Sequence, residues 1–218
     1  MNDHIAIAID GPAASGKSTL AKMISARLGV VMVNSGQMYR AVTWRILEDG
    51  IDPNDAGAVV AALGKMNFEC DVEGLSSTIR INDEDPGDAL RSEAVNDAVS
   101  AISAIPEVRD QLVALQREYL KLSDVIMEGR DIGSVVFPET PYKLYIDADP
   151  AVRAERRVAA GEIDSVAERD RKDSSRAAAP LRVAEGATVL DTSQLSIDGA
   201  VDAAIDCLKS HGLPLKER

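Results

Sequence analysis

The sequence predicts an α/β fold, with a central parallel sheet of five strands between two layers of helices, and three observations predict it. Short apolar, β-branched runs alternate along the chain with segments whose apolar residues recur at helical spacing. The first such run passes directly into a glycine-bracketed loop and then a helix. One stretch, 67–82, alternates as a hairpin does and stands as a small antiparallel insertion in the α/β order.

Residues 4–9, HIAIAI, read as a strand buried on both faces, as strands of parallel sheets are. From Lys17 the positions Leu20, Met23, Ile24 and Leu28 share a helical stripe, and Gly29 is placed to end that helix. VVMV, 30–33, is the second strand. Ser35 is placed to cap a helix running to Gly50, and Asn54 or Asp55 to cap a short one ending near Gly64. In the hairpin Glu73-Gly74 is the turn. Two helices follow, over about 92–104 and 106–122; Pro106 suits the first position of the second, whose stripe is Val108, Leu112, Leu115, Tyr119 and Leu122. DVIMEG (124–129), YKLYID (142–147) and TVLD (188–191) are three more strands. Asp149-Pro150 opens a helix, Ser165 and Glu168 have the spacing of a capping box for another, and an amphipathic helix spans about 196–210. Right-handed crossovers between these strands cover the sheet on both sides.

The 218 residues, 45% apolar and 28% charged, have the balance of a globular chain with one sizeable core. No apolar run approaches the roughly 20 residues of a membrane-spanning helix, and MNDHIAIAID lacks the marks of a signal peptide, so a cytoplasmic protein is expected. The formal charge of −12 argues against nucleic acid and anionic membrane as partners. Cys70 and Cys207 stand in no CxxC, and His4 and His211 lie near the termini, so a metal here would be held by oxygen. A monomer is the working expectation.

Gly11-Pro12-Ala13-Ala14-Ser15-Gly16-Lys17-Ser18, followed by Thr19, fits G-x-x-x-x-G-K-[ST], the phosphate loop. Backbone N–H groups and the helix dipole at such a helix start favour a polyphosphate. Gly16 lets the backbone approach it, Lys17 reaches the β/γ oxygens, and Ser18 offers a hydroxyl to Mg²⁺. The loop implies a nucleoside triphosphate and leaves open where the γ-phosphate goes.

The arginines narrow that choice. GQMYR sets Tyr39 and Arg40 at the start of the helix after strand two, and EGRDIG sets Arg130 and Asp131 just beyond an apolar strand. In open parallel sheets ligands sit outside such strand ends. In ERDRKDSSRAAAP, Arg169, Asp173 and Arg176 share a helical face, which reads either as a solvated ion pair or as a lid over a transferring phosphate.

GPAASGKST, NSGQMYRAVT, NDAVSAISAIPEVR, EGRDIGSVVFP and ERDRKDSSRAAAPL, in this order, resemble bacterial cytidylate kinases, nucleoside monophosphate kinases that phosphorylate CMP and dCMP with ATP. The resemblance runs from Ile5 to about Leu195; its most specific parts are GRDIGSVVFP and R-D-x-x-D-x-x-R-x-x-A-P-L. It implies a three-layer P-loop kinase fold: a core over about 1–64, 106–157 and 177–218, a monophosphate-binding insert over about 65–105, and a short lid over about 158–176. It also implies that Ser35, Tyr39, Arg40, Arg130 and Arg176 surround the acceptor phosphate, that Ser100, Arg109 and Asp131 read the cytosine, and that Arg169 and Asp173 reach sugar and phosphates. Lys17, Arg130, Arg169 and Arg176 are the expected catalytic set, with Mg²⁺ the expected cofactor. Two positions depart from the pattern: Asn34 stands where the family usually has Asp, and the segment between Arg157 and Arg169 is shorter than in most members.

Independently of the resemblance, cytosine shows an amino donor at N4 and acceptors at N3 and O2, which suit a carboxylate at Asp131 and a guanidinium at Arg109. The alternatives are an Asp131 that orients Arg130 and an Arg109 solvated on its helix. Two other functions stay open. A kinase for a hydroxylated metabolite would need a base near the loop, for which Glu128 or Asp10 is available. A GTP-type switch would be expected to carry N-K-x-D, which does not occur.

Overall fold

The computed structural model describes residues 4–159 and 181–214. Its strands are β1 (Ala6–Asp10), β2 (Val31–Asn34), β3 (Phe68–Glu73), β4 (Ser76–Ile81), β5 (Val125–Gly129), β6 (Lys143–Asp147) and β7 (Thr188–Asp191). The helices are α1 (Lys17–Leu28), α2 (Ser35–Glu48), α3 (Ala56–Leu63), α4 (Glu93–Ile102), α5 (Pro106–Leu122), α6 (Pro150–Ala159) and α7 (Ile197–Ser210). A 3₁₀ turn at Gly87–Arg91 and a wide π-type turn at Ile132–Val136 complete the described chain.

All five expected parallel strands are present, in the order β2-β5-β1-β6-β7. The strand count differs from the expectation, because the hairpin is part of the same sheet and extends it to seven. After the 74–75 turn β4 lies beside the edge of β2, where Met32 N–H donates to Leu75 O at 2.8 Å and Met32 pairs with Ser76. An edge strand's unpaired N–H groups favour such an addition, which local alternation does not reveal.

In β1 the two faces separate by residue. Ala6 and Ala8 join a cluster with Val33, Val42, Ile46, Leu112 and Met127, beneath α2 and α5. Ile7 and Ile9 join Leu20, Ile24, Val201, Ile205 and Leu208, beneath α1 and α7. Both faces are therefore core, and an unbroken apolar run is what such a strand requires. Burying an isoleucine at such a position contributes about 1.5–3 kcal/mol.

The helix starts follow the expected chemistry with one correction. Asp55 Oδ1 accepts from Ala58 N–H at 3.0 Å, Ser92 caps α4, and Ser196 Oγ accepts from Gly199 N–H at 3.1 Å. Pro106 opens α5, and Asp149 Oδ1 accepts from Ala151 N–H at 2.8 Å where α6 begins. The cap of α2 is Asn34 and not Ser35: Asn34 Oδ1 accepts from Gln37 N–H at 3.1 Å, and Ser35 is already helical. Ser35 turns its hydroxyl inward, to Glu128 O at 2.9 Å. The capping box at Ser165 and Glu168 lies outside the described residues, as does all but the start of the expected lid.

Candidate active site

At the end of β1 the chain must reverse within a few residues while leaving room for an anion. Gly11 has φ +153°, and a Cβ there would come within 2.1 Å of Ile146 O, so only glycine passes. Gly16, at φ +90°, sets the chain for α1, whose first turn carries no acidic residue and no side-chain cap. Its leading N–H groups thus have no side-chain acceptor at the N-cap, and they and the helix dipole favour an anion. Lys17 is buried, with Nζ donating to Pro12 O at 3.0 Å across the loop.

A second layer supports the loop from outside. Arg153 donates to Ala13 O at 3.3 Å and Ala148 O at 3.0 Å, while Arg156 donates to Ser15 O at 3.2 Å and Thr192 O at 2.9 Å. Thr192 Oγ1 also donates to Ser15 O at 3.1 Å. Arg153, Arg156 and Arg157, the last two lying three and four positions beyond the first on α6, are not among the residues that the sequence motifs point to. The readable signal was their spacing on a helix that Asp149-Pro150 opens beyond a parallel strand.

The loop opens on a cavity of about 490 Å³. Ala13 to Leu20 line one part, Arg130, Arg156 and Arg157 add positive charge, and Leu195, Ile197 and Ala200 add apolar surface. Strand-end placement predicts both Arg40 and Arg130 on the crevice that the loop borders; Arg130 lines this cavity with the phosphate loop, and Arg40 is not among its lining residues.

Three of the other expected residues, Arg109, Asp131 and Tyr39, are brought together. Arg109, on α5, forms a buried ion pair with Asp131 and donates to Ser103 O at 3.1 Å. Its guanidinium lies 5.5 Å from the centre of the Tyr39 ring, a cation–π contact. Arg109 and Asp131 are 5% and 6% exposed and pair with each other, so Arg109 is not solvated on its helix. Removing one member of such a pair strands a charge and costs about 3–5 kcal/mol, whereas the pair itself adds little net stability. Arg40 donates to Leu90 O at 2.9 Å and Asn96 Oδ1 at 2.7 Å, tying α2 to the 65–105 region. Ser100 is half-buried on α4, its carbonyl accepting from Ser103 Oγ at 3.2 Å. Arg169, Asp173 and Arg176 lie outside the described residues.

Glu128 and Asp10, which the sequence offered as bases for a hydroxylated acceptor, are both engaged. Glu128 Oε1 accepts from Ser18 Oγ at 2.7 Å. Asp10 accepts from Ile132 N–H at 2.7 Å and Gly133 N–H at 2.8 Å. Burial raises the Asp10 carboxyl to about 6 against the lowering effect of those two N–H groups; Asp131's charge raises it further and Lys17 opposes. Gly129, between the two sets, is closely packed: a Cβ would lie 2.5 Å from Ser35 Oγ and 2.8 Å from Ile132 Cδ1. Among the described residues no cluster of three or more His, Cys, Asp or Glu side chains could hold a metal ion.

Known proteins resemble this chain along nearly its whole length. The cytidylate kinase family model matches residues 7–210. The cytidylate kinase of Geobacillus thermodenitrificans is 41% identical over 209 residues, covering 91% of this chain and 93% of that protein. That of Corynebacterium diphtheriae is 39% identical over 215 residues, covering 93% and 94%. Among solved structures, a sugar kinase from a Janibacter species superposes with a TM-score of 0.51 at 13% identity over 96% of each chain, a likeness of fold alone.

Proposed function

The chain belongs to the cytidylate kinase family, and from that premise we propose that its cleft is a two-sided clamp, with ATP on the phosphate loop and CMP against Arg130, Arg109 and Asp131. The enzyme transfers the γ-phosphoryl group of ATP to CMP or dCMP, giving ADP and CDP or dCDP, in pyrimidine nucleotide metabolism. The observation that carries the site assignment is the buried Arg109–Asp131 pair, seated against Tyr39 and next in sequence to an arginine that lines the phosphate-loop cavity.

On the donor side, Gly11 to Thr19 hold the phosphates, and the apolar surface of Leu195, Ile197 and Ala200 with the planar cation of Arg156 suits a purine ring. On the acceptor side, Asp131 accepts a hydrogen bond from the cytosine N4 amino group, Arg109 donates to N3 or O2, and Ser100 borders the base. Uracil would present an oxygen to the same carboxylate, and repulsion would reject it. Ser35, Tyr39, Arg40 and Arg130 surround the CMP phosphate, with Arg169, Asp173 and Arg176 completing the enclosure. Residues 65–105 serve as the insert that carries the monophosphate, and about 158–176 as the lid.

No general base is required, because the attacking phosphate oxygen is already ionised near pH 7, its second pKa being about 6. The protein's task is to bring two polyanions in line and to spread the charge of the transferring group over Lys17 and the arginines. Mg²⁺ fits the donor set: the Ser18 hydroxyl and the Glu128 carboxylate are hard oxygen ligands beside the loop, and the few protein ligands suit an ion that keeps waters and phosphates. Ser18 and the nucleotide phosphates would hold it, with Glu128 orienting the Ser18 hydroxyl, and when bound it would neutralise phosphate charge. Among the described residues no helix is long and apolar enough to cross a membrane; the enzyme is taken as a cytoplasmic monomer with small-molecule partners.

The deciding experiment is ADP production from ATP and Mg²⁺ with CMP, dCMP, UMP, AMP and GMP in turn. CMP and dCMP should be turned over fastest; faster turnover of AMP or GMP would overturn the assignment.

A further inference from the structure

One buried carboxylate beside the phosphate loop, Asp10, is assigned to neither nucleotide. Asp10 is the last residue of β1, so its backbone leads into Gly11 and the phosphate loop, while its side chain binds a different segment. Oδ1 accepts the Ile132 N–H at 2.7 Å and Oδ2 the Gly133 N–H at 2.8 Å. These are the leading donors of the 132–136 turn, which its own N-cap residue, Asp131, does not cap with its side chain. Just ahead, Asp131 sits at φ −145°, ψ 22°, outside the helical and extended wells, so its direction depends on how the following residues are held.

The chemistry at position 10 is specific. Only a carboxylate offers two acceptor oxygens to two adjacent N–H groups; an asparagine would turn an amide donor toward one of them. Asp10 is 3% exposed, and burial raises its pKa to about 6, so the fold retains an ionisable group where desolvation disfavours its charge.

We propose that Asp10 is a positioning residue that couples the two halves of the reaction, clasping the 130–133 segment to the start of the phosphate loop so that Arg130 meets the transferring group and Asp131 meets the cytosine. This rests on the assignment of Arg130 and Asp131 to the acceptor side. A displacement of about 1 Å at such a place costs on the order of 10²-fold in rate.

The test is steady-state kinetics of Asp10→Asn with CMP and UMP, beside thermal melts. The expected result is a fall in kcat with CMP of about 10²-fold, a raised KM for CMP and a narrowed CMP-over-UMP preference in kcat/KM, while the protein stays folded at the assay temperature. Gly133→Ala approaches the same clasp without changing charge: its Cβ would lie 3.3 Å from Asp10 Oδ2, 3.2 Å from Lys143 Cδ and 3.3 Å from Ala184 Cβ. It should act in the same direction, less strongly. A purely structural Asp10 would lower the folded fraction and leave KM and the preference of the remainder unchanged. That outcome overturns the proposal, as do wild-type kinetics in both variants. Asp131→Asn run in parallel separates the two claims. If it narrows the preference and Asp10→Asn does not, the clasp is refuted. If Asp131→Asn keeps the wild-type preference, the base assignment fails, while a kcat loss in folded Asp10→Asn still upholds the clasp through Arg130.

Discussion

Single side chains in this cleft separate catalysis from stability. Arg130 is half-buried, lines the phosphate-loop cavity and donates to the Gly129 carbonyl next to it at 3.4 Å. We expect Arg130→Ala to lower kcat by about 10²-fold or more, the scale of a lost charge-stabilising donor, and to move the melting temperature by only a few degrees; equal losses in both would reject a catalytic role. Asp131→Asn should narrow the CMP-over-UMP preference in paired kcat/KM values, and being isosteric it keeps an oxygen for Arg109. Asp10 gives a stability signature against pH. Its folded pKa of about 6 lies above the ordinary 3.8, so the favourable contribution is full below about 4 and is lost as pH rises through about 6. By linkage the swing is roughly 3 kcal/mol. Denaturant titrations at pH 4 and 7 should show wild type losing stability relative to Asp10→Asn across that interval; parallel curves would contradict the raised pKa. The motif residues were legible because the phosphate loop has fixed spacing. The engagement of Asp10 and Glu128 was not, because their partners lie more than 100 positions away in sequence.

For the individual elements, sequence served best where local chemistry decides the outcome. Pro106 at the start of α5 and Asp149-Pro150 at α6 stand where capping rules put them. The α2 start shows the limit. Asn34 and Ser35 are both good caps, and Ser35 was passed over because Glu128 O, on the neighbouring strand, takes its hydroxyl. Asn34, where Asp is usual in the family the sequence resembles, therefore has a structural task on the helix that carries Tyr39 and Arg40. Asn34→Ala should cost about 1 kcal/mol, or about 2–4 °C in melting temperature for a chain of this size. Asn34→Asp should retain the cap and gain slightly from the helix dipole. Equal melting temperatures for wild type and Asn34→Ala would show that the cap contributes nothing. The hairpin at 67–82 was readable as a hairpin, but its docking on β2 was not, since a strand's alternation says nothing of which edge it will meet.

The whole molecule is a scaffold whose phosphate-loop cavity gathers the loop and start of α1, Arg130 beyond β5, α6, the chain after β7 and α7, and ligands should stabilise it by mass action. ATP with Mg²⁺ at about 100 times its Kd should add about 2.7 kcal/mol, read as a rise in melting temperature that a chelator partly reverses; no rise would argue against the donor site. By itself the sequence determined the α/β class, the five parallel strands, the phosphate loop and the family. These rest on residue periods, on glycines at fixed offsets and on short motifs, all of them properties of neighbours along the chain. Only the tertiary structure decided that Arg109 would pair with Asp131 in the interior, that α6 would brace the phosphate loop with arginines, and that one carboxylate of β1 would clasp the 130–133 segment. Those contacts depend on burial and on which strand ends are brought side by side, and a linear spacing carries neither.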